Sequence, residues 1–208
     1  MLRRMRKLQS GDTIIEVLFA VSVFSLIAVG AVLIMNQGIS SAQKALEITQ
    51  VRQQIDAQAE ALRYAHHSYV MSIGTDTGGS AEWGNIRARA KAPEAITVFG
   101  NASGSSLCDD VPEGAFVMNA RTGMLSMSVE PRSISSSQPG YSSPPYAKVT
   151  YNGNQLIQAD GIWIEAAASA GSGGIGYTDF HIRACWESPG AGPAMTLGTI
   201  VRLYEPAL

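Results

Sequence analysis

From Val17 to Met35 the chain has 19 residues without a charge, softened only by Ser22, Ser25 and Gly30. At 1.5 Å per residue, this run covers roughly 28 Å as a helix, about the hydrocarbon thickness of a bilayer. Beyond it the pattern turns from uniformly apolar to periodic. Ile39, Ala42, Leu46, Ile48, Val51, Ile55, Ala59, Leu62 and Tyr69 recur mostly at steps of three and four, the period of one helix face. Gln43, Lys44, Glu47, Gln50, Arg52, Gln53, Asp56 and Glu60 fill the other side. No proline interrupts residues 12–92, and Gly38 is the only glycine between Gly30 and Gly74. The spacing predicts one helix from about residue 13 to about residue 70, of order 85 Å long. A break near Asn36–Ser41, where Gly38 and serines gather, is the alternative.

After Gly74 the texture changes to short β-prone runs cut by Gly, Ser and Pro clusters. Ala95–Phe99 is the first candidate strand. Ala115–Met118 and Met124–Val129 are expected to form a hairpin. Lys148–Tyr151 and Ile162–Ala166 follow as weaker candidates. Thr178–Trp186 alternates, which predicts Phe180, Ile182, Ala184 and Trp186 on the inner face and His181, Arg183 and Cys185 on the other. Thr199–Tyr204 is the last strand. Asn101–Ser106, Ser133–Pro145 and Ser169–Gly176 are turn-rich loops, and no internal repeat is visible. The fold class is α+β: a long N-terminal α-helix, membrane half plus amphipathic half, packed on an antiparallel β-sheet head.

Charge sharpens this plan. Residues 1–11 hold Arg3, Arg4, Arg6 and Lys7 and no acid, a charge of +4. Of the 15 basic residues in the chain 11 then remain against 17 acidic ones, or −6. An acidic head gives no electrostatic case for binding nucleic acid. The basic cluster before the apolar run places the N-terminus in the cytoplasm and the head outside. A secretory signal would be cut after its apolar core; here Gly11 precedes that core. The two cysteines, Cys108 and Cys185, are an even count, which in an exported chain favours a disulfide, with two buried thiols as the alternative.

Glu16 is the sharpest anomaly. An ionised carboxylate at a helix end entering a membrane costs on the order of 2–3 kcal/mol, so it needs a partner or a role. The plain reading is interfacial, an acid in the first turn of a helix. The basic leader ending in Gly11, then Asp12-Thr13-Ile14-Ile15-Glu16 and the apolar run, resembles the type IV prepilin signal. That resemblance implies a prepilin peptidase that cuts after Gly11 on the cytoplasmic side and methylates the amine of the new first residue, Asp12. The family's glutamate lies four residues beyond that N-terminus, and Glu16 matches it. The family usually begins with phenylalanine or another apolar residue, so Asp12 departs from the pattern and changes the local charge around the amine. The resemblance also implies that helices bundle in a filament and that Glu16 pairs with a neighbour's amine, setting register. It further supports a Cys108–Cys185 disulfide.

The division implied is 1–11 basic leader, 12–36 membrane or filament-core helix, 37–70 amphipathic continuation and 71–208 β-rich head. The partners are the prepilin peptidase, other pilin subunits with the pilus assembly machinery, and the cytoplasmic membrane, with the head finally at the cell surface. Chemistry is sparse elsewhere. His66 and His67 are adjacent, so on a helix they point about 100° apart and form no clamp, and His181 is distant in sequence. Asp109, Asp110 and Glu113 suit a solvated turn better than a calcium loop. Gly171-Ser172-Gly173-Gly174 lacks the lysine of a phosphate loop, and no Gly-x-Ser-x-Gly elbow occurs. Trp83, Trp163 and Trp186 suit packing. No catalytic set, metal site or cofactor is expected, and an anchored enzyme is the weakest reading. The expectation is a structural subunit, a minor pilin for adhesion, motility or DNA uptake. The alternatives are a type II secretion pseudopilin and a tethered extracytoplasmic binding module that never polymerises.

Overall fold

A computed structural model of the protein describes residues 14–73, 78–96, 108, 110–126, 128–134, 144–169, 176–187 and 194–206. It divides into two units, Met1–Ala45 and Leu46–Leu208.

Helix α1 is assigned without a break from Ile14 to Met71, through Gly38. In the first unit its surface is apolar all round from Val17 to Met35, and every described residue is exposed except Gly30, which is half-buried. The two serines do not leave hydroxyls unpaired. Ser22 Oγ donates to the Leu18 carbonyl and Ser25 Oγ to the Val21 carbonyl, both at 2.8 Å. Such back-bonding to the preceding turn lets a hydroxyl sit in an apolar helix.

In the second unit α1 supplies one face of a core. Val51, Ile55, Ala59, Leu62 and Ala65 are buried at helical spacing. The buried face differs from the expected one at its start: Leu46 is 63% exposed, whereas Glu47 is buried. The indole Nε1–H of Trp186 donates to Glu47 Oε2 at 3.3 Å, so a polar partner turns that position inward. A second helix, α2 (Gly78–Arg87), is a feature the periodicity did not reveal; it buries only Trp83 and Ile86.

Among the described residues seven strands follow: β1 (Met118–Asn119), β2 (Met124–Leu125), β3 (Lys148–Asn152), β4 (Gln155–Asp160), β5 (Ile162–Ser169), β6 (Tyr177–Trp186) and β7 (Met195–Tyr204). They form not one sheet but three antiparallel sheets, β1-β2, β3-β4 and β5-β6-β7. The Ala115–Val129 hairpin contracts to two residues on each arm, and Ser126 N–H instead bonds the Val117 carbonyl at 3.1 Å. The Ala95–Phe99 strand is not formed where it is described: Pro93–Ala95 is a 3-10 turn, in which proline suits the first position, and residues 97–99 lie outside the described residues. Strand β4 was missed, although Asn152-Gly153 announces its hairpin; Gly153 takes a φ of +55° in a two-residue turn where glycine is favoured.

Phe180, Ile182, Ala184 and Trp186 face the core as the alternation required, beside Ile162, Ile164 and Ala166 of β5. The opposite face is buried too over part of its length. There Cys185 and Trp163 join Cys108 and Ala115 in a smaller apolar cluster, with Val111 and Ala194 at its rim. The sequence pattern marked that face as polar because Arg183 and His181 stand on it.

Candidate functional site

Of the residues singled out from the sequence, Gly11 and Asp12 lie outside the described residues. Glu16 stands in the first turn of α1, exposed, between Ile15 and Val17. That position matches an acid's preference for a helix N-terminus, where unsatisfied N–H groups carry partial positive charge. Along the helix beyond it Phe19, Phe24, Leu26 and Ile34 are all more than 70% exposed. An apolar surface this continuous is uncommon on a soluble monomer and marks a membrane or protein partner. The helix is long and apolar enough to span a membrane.

Cys108 and Cys185 are joined, their Cα atoms 5.3 Å apart across 77 residues of sequence. Both are almost wholly buried, packed with Trp163. In the chain-entropy account, a ring of this length stabilises by up to about 4 kcal/mol. The bond ties the region around Cys108 to the end of β6, where Cys185 N–H also bonds the Gly161 carbonyl at 2.8 Å.

Four polar constellations went unread in the sequence. Gln58 of α1, 1% exposed, is bonded twice to the main chain of Met118. Glu165 and Arg183 form an ion pair on the outer face of β5 and β6, with Arg183 Nη1 3.4 Å from Glu165 Oε2. Burial lowers the Arg183 pKa, and the Glu165 carboxylate opposes that shift. Burial, then the Arg183 charge, pushes the neighbouring His181 below its ordinary 6.5, against the opposing pull of Asp179 and Glu165. Arg202 forks onto both oxygens of Asp179 at 2.7 Å, and that hydrogen bonding holds the Asp179 pKa below the usual carboxylate value. Asp160, fully buried, receives Gln158 Nε2 at 2.6 Å and Arg132 Nη2 at 3.3 Å. Apart from Gln158 beside Asp160, only non-local pairing brings these groups together, so no spacing motif announced them.

His66 is engaged in packing, whereas His67 is exposed. His66 Nε2 lies 3.0 Å from the Tyr204 carbonyl, and its ring meets Trp83 edge-on at 4.9 Å. Trp83 continues to Tyr69 and Phe180 in one aromatic stack. All three tryptophans are at most 3% exposed. Among the described residues no group of three or more His, Cys, Asp or Glu side chains is placed to hold a metal.

Comparison with protein-family models, curated proteins and solved structures finds no match to this chain. The site is therefore described by its own chemistry: an acid at the head of an apolar, unpacked helix that continues into an α+β unit closed by a disulfide.

Proposed function

We propose that this chain is a type IV pilin-like structural subunit, cut by a prepilin peptidase after Gly11 and anchored in the cytoplasmic membrane before assembly into an extracellular filament. The observation that carries the reading is the order of features in one short stretch. A +4 leader, Gly11, Glu16 and an uncharged 19-residue run follow one another in that order, and from Ile14 one helix runs unbroken to Met71. A simple tether needs neither a glycine before its apolar core nor an acid at its start.

The mechanism is assembly. In the bilayer the apolar surface of α1 is solvated by lipid. In a filament the same surface packs against equivalent helices of neighbours. Glu16 then compensates the free amine that cleavage creates on a neighbour's Asp12, since each charge alone is costly in an apolar setting. The pairing favours one axial register over slipped ones. The pilin-like plan, with a minor rather than a major role, is supported by the size of the head and its Gly/Ser-rich loops.

The test is mass spectrometry of the N-terminus of the protein recovered from membranes that contain the peptidase. A chain beginning at Asp12 is expected, and Gly11→Val should retain Met1. A wild-type chain still beginning at Met1 overturns the reading in favour of a tethered module.

A further inference from the structure

Strand β7 is the outer strand of its sheet, and among the described residues no strand pairs with its free edge. Over ten residues it keeps a one-to-one register with β6, with no bulge, proline or lysine. Those are the devices that usually blunt an exposed edge. The phase of its ladder is set just beyond it, where Glu205 N–H donates to the Gly176 carbonyl at 2.8 Å. Antiparallel hydrogen bonding alternates from residue to residue. Leu197, Thr199, Val201 and Leu203 therefore turn their main-chain groups to β6, and Thr196, Gly198, Ile200 and Arg202 turn theirs outward. The outward carbonyl of Tyr204 is already bonded to His66, so the open stretch ends at Arg202.

The side chains of these outward residues stand on the sheet face opposite the core. Ile200 is 60% exposed. Gly198, two residues earlier, has no side chain, and an open groove of about 300 Å³ lies there, lined by His181, Arg183, Thr196 and Ile200 among others. A projection and a gap two residues apart on one strand complement a second copy of that strand running antiparallel. A two-fold axis through Thr199 sets Ile200 opposite the partner's Gly198 and Thr196 opposite the partner's Arg202. No like charges meet, and Arg202 enters the pairing already neutralised by Asp179.

We propose that β7 is a docking edge for a second copy of this chain, paired antiparallel about Thr199 with Ile200 of each copy seated over Gly198 of the other. The open stretch supplies about eight main-chain hydrogen bonds, two for each outward-facing pair. Copies held in one membrane meet at high effective concentration, which favours such a contact. The pair is isologous and closed, so it neither builds a filament nor rests on the filament reading.

The test uses the full-length chain in membranes with Thr199→Cys. Paired antiparallel, the two positions lie about 4.5 Å apart at Cα, within disulfide reach. Mild oxidation is expected to give a dimer whose cross-link maps to residue 199 on both chains, and adding Ile200→Lys should lower its yield about tenfold. Gln155→Cys, exposed on β4, should give only background. A Thr199→Cys chain that stays monomeric overturns the proposal. So does a yield equal to that of Gln155→Cys, or one that Ile200→Lys leaves unchanged. A readout free of added thiols is sedimentation in detergent, with wild type expected as a dimer and Ile200→Lys as a monomer of equal protease resistance. A monomeric wild type overturns the proposal whatever the outcome of N-terminal processing.

Discussion

Gln58 and Met118 exchange two hydrogen bonds. Gln58 Nε2 donates to the Met118 carbonyl at 2.9 Å, and Met118 N–H donates to Gln58 Oε1 at 2.7 Å. The side-chain amide thus replaces a neighbouring strand, satisfying a main chain that β2 pairs over only two residues. It also ties the second half of α1 to the start of β1, where both residues are buried.

Gln58→Leu keeps the volume and removes both partners of Met118. Two buried main-chain groups left unpaired cost about 1–3 kcal/mol each, so a loss of about 3 kcal/mol is expected after the apolar gain is set against it. Denaturant unfolding of the full chain in detergent checks this. A loss under about 1 kcal/mol would mean that water or relaxation satisfies Met118.

Gly161 joins β4 to β5 at a φ of +63°, and a Cβ there would press on the Cys185 carbonyl and the Ile134 side chain. Backbone cannot give way as a long side chain can. Gly161→Ala is expected to destabilise by about 2–3 kcal/mol. Gly84, inside α2 with nothing near its missing Cβ, is the contrast: Gly84→Ala should stabilise by about 0.5–1 kcal/mol. Opposite signs in the two melting curves are the outcome to look for.

His181 gives a pH dependence. The folded state lowers its pKa, chiefly by burial and then by the Arg183 charge, with Asp179 and Glu165 pulling the other way. The unfolded chain then binds the proton more readily than the folded one. The contribution is complete above the ordinary 6.5 and is lost as pH falls through the folded value. The thermal midpoint should fall as the pH is lowered below about 6.5, and His181→Gln should flatten that decline. Asp179, whose pKa is also lowered, acts in a separate window below its ordinary 3.8, so the two are separable by titration.

Glu16→Ala is expected to leave membrane insertion and cleavage intact while lowering incorporation into sheared filaments by about tenfold or more, because the partner amine is left unpaired in an apolar core. Glu16→Gln should fall between the two. Incorporation equal to wild type would remove the pairing role and leave Glu16 as an interfacial acid.

What the one-dimensional pattern determined was whatever depends on neighbours along the chain. Helix periodicity and the lack of proline were enough to define α1 to within a residue at each end. Strict alternation was enough to orient Phe180, Ile182, Ala184 and Trp186 on β6. The order of charge, Gly11, Glu16 and apolar run is likewise local, and for that reason the proposed function was legible at all.

Tertiary structure decided what depends on partners distant in sequence. Glu47 lies inward because Trp186, 139 positions later, brings an N–H to it. Gln58 is buried because it satisfies the main-chain groups of Met118 that face away from β2. The outer face of β6 is buried near Cys185, although Arg183 and His181 make it read as polar, because Cys108 and Trp163 cover it. The outer edge of β7 is of the same kind: its sequence reads as an ordinary strand, and only the register with β6 shows which main-chain groups turn away from β6. Burial and pairing are properties of the surroundings that folding creates, and a residue's own chemistry records them only where the chain repeats them locally.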